Sequence, residues 1–124
     1  MNPTIYEIIS AAYALVSGDH GRSVGEFARN EDGLKVSPFC DNAVQFCSVG
    51  AMVRSMHGAK HCVKSQASHM IRVTLDSPAY GVLYEAVSTA GFDSVAEFND
   101  TANDKQFHNT WAYALLLAKQ ESAK

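Results

Sequence analysis

Three groups of residues in this 124-residue chain are of types that can do chemistry. The first is Cys47 with His69. A thiol near a helix N-terminus gains thiolate character from the helix dipole, and a histidine within hydrogen-bond reach can act as its base, the arrangement of a thiol hydrolase. Free cysteine is also among the most buried residue types, and Cys47 falls on an apolar helix face, so a small core residue is the favoured expectation. The second group is His57, His61 and Cys62. Histidines four apart on a helix can share a metal, but Gly58 stands between them and no Cys-x-x-Cys or His-Glu-x-x-His pattern is present. A polar surface turn is therefore expected there, with no metal and no cofactor. The third is Asn99-Asp100, whose amide and carboxylate can bind a polar ligand or a partner's backbone. The same two side chains can equally satisfy free backbone N–H groups at a turn, and that is favoured.

These residues need elements to position them. Asn2-Pro3 reads as an N-cap followed by proline at the first helical position, opening a helix over about 3–17 that Ser17-Gly18 ends. Residues 22–37 form a short hairpin-like or irregular segment around Glu31-Asp32-Gly33. Asp41 is the expected cap of a helix over 42–57. Residues 59–75 read as a weak helix, although Ile71, Val73 and Thr74 fit a short strand as well. Ser77-Pro78 opens a helix closed by Gly91. Ser94 and Glu97 have capping-box spacing for a short turn into Phe98, and Asp104 is the expected cap of a last helix over 105–120. The fold expected is mainly α, a single domain over 1–124 built as a compact bundle of four or five helices. Its core should include Ile5, Ile9, Val44, Cys47, Leu83, Val87, Phe98, Trp111 and Leu115.

Gly50-Ala51 stands inside the second helix. Glycine there costs about 1 kcal/mol relative to alanine, so a close approach should compensate, and the ring of Phe98 is the expected visitor.

Bulk properties narrow the function classes. An apolar fraction of 47% is enough for a core without a stabilising metal or disulfide. The net charge is −3 and the ten basic residues are scattered, which argues against nucleic acid, because phosphate binders concentrate Lys and Arg on one face. No run approaches the roughly 18 apolar residues of a membrane span. Three cysteines permit one bridge and leave one thiol; without a basic n-region at the start, a reducing cytoplasm is the simplest setting. Phosphate-loop and nucleophile-elbow patterns are missing.

Two resemblances add to this reading. Phe46-Cys47-Ser48-Val49-Gly50 loosely resembles the Asp-Cys-Ser-Gly start of the catalytic helix in cell-wall cysteine peptidases, with Phe46 where their aspartate stands and His69 in the place of their histidine. More of the chain, from about 3 to 119, resembles an uncharacterised family of small proteins encoded by phages and bacteria. That family carries Trp-Cys-x-x-Gly-Ala and Trp-Asn-Asp, matched here by Phe46, Cys47, Gly50 and Ala51, then by Phe98, Asn99 and Asp100. Phenylalanine keeps the aromatic packing and loses the indole donor. The resemblance implies a mainly helical fold and no assigned activity. Together with the missing catalytic motifs and the mild acidity, it makes a non-enzymatic protein-interaction domain, a phage-encoded modulator of a host or defence component, the expected function; the alternatives are a thiol hydrolase using Cys47 and His69 and a small polar ligand binder or hydrolase at Asn99-Asp100.

Overall fold

The computed structural model describes residues 3–59 and 64–122. Their first element, α1 (Ile5–Val16), is capped by Thr4 rather than by the expected Asn2, which lies outside the described residues. Thr4 and Glu7 form a capping box, with the Glu7 N–H donating to Thr4 Oγ1 at 3.1 Å and the Thr4 N–H donating to Glu7 Oε1 at 2.9 Å. Those hydrogen bonds hold the Glu7 carboxyl below the usual range.

The segment after α1 is hairpin-like, as its turn residues suggest. Asn30 Oδ1 accepts from the N–H groups of Asp32 and Leu34, both at 3.0 Å, and Gly33 takes the positive φ the turn requires. Around this turn, β1 (Ala28–Arg29) pairs antiparallel with β2 (Gln45–Phe46), Ala28 opposite Phe46.

The second helix is shorter than expected. Residues 37–43 make turns rather than helix, held by Arg54 Nη1 on the carbonyls of Pro38 (3.0 Å) and Cys40 (2.8 Å). Asp41 is exposed and caps nothing; Gln45-Phe46 is extended, and α2 (Ser48–His57) is capped by Cys47. Gly58 closes it, as expected.

The ambiguous stretch is helical: α3 (Lys64–Leu75). Of its β-branched residues, Thr74 is fully buried and bonds back to the Met70 carbonyl at 2.8 Å, while Val73 faces solvent. Then follow α4 (Pro78–Thr89), capped by Ser77, α5 (Val95–Thr101), capped by Ser94, and α6 (Asp104–Ser122). The cap of α6 is Asn103 rather than Asp104. Asn103 Oδ1 accepts from the Gln106 N–H at 2.8 Å, and Gln106 Oε1 accepts from the Asn103 N–H at 2.9 Å.

The fold is thus mainly α, with one small two-stranded sheet among the described residues. Helix α1 lies against α2 and α6, and α4 lies against α6. Ser55 Oγ on the Ile8 carbonyl (2.6 Å) ties α2 to α1, and Tyr13, which stacks on Trp111, ties α1 to α6. Of the expected core, Ile9, Cys47, Leu83, Val87, Phe98 and Trp111 are buried, whereas Ile5, Val44 and Leu115 are half-buried at its edge. No described helix is long and apolar enough to cross a membrane.

Candidate functional site

The two motifs converge. Cys47, Val49, Asn99 and Asp100 line one solvent-open cavity of about 180 Å³, together with Ala96 of α5 and Gly25, Glu26 and Phe27 of the loop before β1. Its construction begins with the free backbone donors of α2, because the first N–H groups of any helix have no partner within it. The Ser48 N–H donates to Asn99 Oδ1 at 2.8 Å, and the Gly50 N–H donates to Cys47 Sγ at 3.2 Å. One cap therefore comes from α5, fifty-one residues away, and the other from the N-cap residue itself.

Asn99 is used to capacity. Its Oδ1 also accepts from Ser48 Oγ at 2.8 Å, and its Nδ2 donates to the Ser23 carbonyl at 2.8 Å and to Asp100 Oδ1 at 3.1 Å. Only 2% of it is exposed. Each bond replaces one that water makes in the unfolded chain, so the net gain is modest, but every partner left unpaired here costs about 1–3 kcal/mol. Asn99 joins α5, the start of α2 and the loop at Ser23. It does satisfy a free backbone N–H, but that of Ser48 at the start of α2 and not one at a turn, because both Asn99 and Asp100 lie inside α5.

Gly50 makes the same junction from the other side. A Cβ at this position stands 2.0 Å from the Phe27 carbonyl oxygen and 2.9 Å from its carbon. That oxygen also accepts from the Cys47 N–H at 3.0 Å. The close approach inferred for Gly50 is real, but the visitor is the Phe27 backbone and not the Phe98 ring. Phe98 instead stacks on Phe107 with centroids 5.2 Å apart and meets Phe92 edge-on. Nearby, the Arg22 guanidinium lies 4.3 Å from the centroid of Phe107 and donates to the Ala102 carbonyl, fixing the start of the loop to the α5–α6 connection.

Cys47 is poorly placed for nucleophilic work. It is 9% exposed, and burial pushes its thiol up from the ordinary value. Hydrogen bonds from the Gly50 and Val49 N–H groups pull the other way, and the Asp100 carboxylate adds to the rise. The terminal N–H groups of α2 favour the thiolate, but the cost of burying its charge is the larger effect. His69 is exposed on α3 and does not line the cavity. The structure does not bring it to Cys47.

Of the metal candidates, only His57 lies among the described residues. His57 Nε2 shares a hydrogen bond with Thr74 Oγ1 at 3.0 Å, linking α2 to α3, while His61 and Cys62 lie outside the described residues. Among the described residues, no three His, Cys, Asp or Glu side chains are grouped to hold a metal. Cys40 is disulfide-bonded and Cys47 is free.

Ser23, Phe27 and Ser48 belong to the junction and escape sequence reasoning. Only Gly50 signalled them, and it announced a close approach without saying which chain segment makes it. Comparison with known proteins returns no match: no family model, no curated protein and no solved structure is similar to this chain. Its function must be argued from its own geometry.

Proposed function

We propose that the chain is a non-enzymatic protein-interaction domain whose partner-facing element is the loop over residues 22–37. The observation that carries this reading is that Val24, Phe27 and Leu34 on that loop are 51%, 41% and 62% exposed. The same loop is fastened at its base through Ser23, Phe27 and Arg22. Apolar side chains held out on a fixed backbone meet a partner with little further ordering cost, which favours affinity. The groups with chemical potential are used otherwise: the amide of Asn99 is fully bonded within the protein and the thiol of Cys47 is buried and held protonated.

The resemblance to a family encoded by phages and bacteria makes a host or defence component the partner class in this reading. Acidic net charge and scattered basic residues support a protein partner over nucleic acid. The cytoplasm belongs to the same reading, although the bridge at Cys40 weighs against it, because reducing compartments keep thiols reduced. Thiol trapping in intact cells decides the compartment: three alkylated cysteines fit the cytoplasm and fewer do not.

The test is affinity capture from host lysate with the wild-type chain beside a Val24→Ser, Phe27→Ser, Leu34→Ser variant of matched helicity. The proposal requires a protein retained by the wild type and lost by the variant. Identical captures, or no specific capture by either, overturn it.

A further inference from the structure

The cavity beside the loop has a shape and charge that select what enters it. Its volume of about 180 Å³ is close to the roughly 150 Å³ that holds a benzene-sized guest and below the roughly 300 Å³ where cofactor and drug pockets begin. One side chain fits; a nucleotide does not. Phe27, Val49 and Ala96 are its apolar lining residues, and its charged lining residues are both acidic, Glu26 and Asp100, with no Lys or Arg among the described lining residues.

An anion has nothing to bind there. The N–H groups of Ser48 and Gly50 at the start of α2 are already bonded to Asn99 and Cys47, and both carboxylates repel negative charge. A cation is favoured. Asn99 Nδ2 orients the Asp100 carboxylate, and Glu26 pairs with Lys35 at 3.7 Å, a lysine 75% exposed and hence a weak partner.

We infer that this cavity receives a lysine side chain of the protein partner, its methylene stem against Phe27, Val49 and Ala96 and its ammonium between Glu26 and Asp100. Lysine suits such a slot because its apolar stem and compact charged head separate along one axis. The inference rests on the protein-interaction reading and assigns the chemistry the loop's partner must carry: a basic residue beside apolar ones that meet Val24 and Leu34.

The test is a titration followed by amide chemical shifts at low ionic strength. The probes are Nα-acetyl-lysine methylamide and its neutral counterpart, Nα-acetyl-norleucine methylamide. The lysine compound should move the Cys47, Val49, Ala96 and Asn99 amides saturably and bind about fivefold tighter than norleucine, the scale of an exposed ion pair. In Glu26→Gln, Asp100→Asn, with an unchanged melting temperature as the check that it is folded, that preference should vanish. Equal binding of the two probes to the wild type, no movement of these amides, or a preference that survives in the variant overturns the inference. No preference for lysine in the wild type, with loop-dependent capture intact, refutes the lysine slot alone; absence of loop-dependent capture refutes the wider reading.

Discussion

Alanine at Gly50 should destabilise this protein, although alanine is the better helix former. Taken alone, the exchange gains about 1 kcal/mol in a helix interior. At Gly50 the new Cβ stands 2.0 Å from the Phe27 carbonyl oxygen, against 3.4 Å for ordinary contact, so this stretch of backbone must withdraw by more than 1 Å. Forcing atoms into a filled space costs about 1–3 kcal/mol or more. The withdrawal also breaks the bond from the Cys47 N–H, worth about 0.5–1.5 kcal/mol net. Steric cost and lost bond together exceed the propensity gain, leaving a net loss of about 1–3 kcal/mol. Gly81 is the control: it lies within α4, carries no positive φ, and a Cβ added there meets nothing within 4 Å, so Gly81→Ala should stabilise by up to about 1 kcal/mol. Urea melts of both variants read the two signs as opposite shifts of the midpoint at constant slope. A neutral or stabilising Gly50→Ala, with Gly81→Ala behaving as stated, would refute the junction.

Other outcomes follow from the same geometry. Asn99→Ala strands the Ser48 N–H and the Ser23 carbonyl and should cost about 2–4 kcal/mol by urea melt, whereas Asp100→Asn should stay within about 0.5 kcal/mol. Burial raises the folded-state pKa of Cys47 above its unfolded value, so its contribution is complete below about pH 8.5 and is lost as pH rises beyond it. Alkaline melts should show that decline, and Cys47→Ala should flatten it; an unchanged slope contradicts the assignment. Thiol titration of the denatured, unreduced protein after purification in air should give fewer than three thiols per chain, because Cys40 is bridged in the structure; three would contradict it.

The sequence made the helices legible where local signals act alone. Ser77-Pro78, Ser94 with Glu97, and the glycines after α2 and α4 set boundaries through capping chemistry that needs no tertiary context. Signals of equal strength competed at two ends: Asn2-Pro3 against Thr4 with Glu7, and Asp104 against Asn103 with Gln106, where the reciprocal bond won each time. The start of α2 was not legible. Residues 42–46 carry helical spacing, but Phe46 pairs with Ala28 and Arg54 draws the Pro38 and Cys40 carbonyls into turns, both long-range choices. At the site, nothing in the spacing of Cys47 and Asn99-Asp100 brings them together, yet they line one cavity. Their roles depend on Ser23, Ser48 and Phe27, residues whose types carry no chemical signature of their own.

The amide of Ser48 gives the sharpest test of the junction. A helix's first N–H exchanges quickly when solvent is its only partner. Here it donates to a buried Asn99, so native-state hydrogen exchange should find it protected in the wild type and rapidly exchanging in Asn99→Ala under conditions where both remain folded. A Ser48 amide that exchanges like a free one in the wild type, with neighbouring α2 amides protected, would contradict the claim that the two motifs form one structural junction.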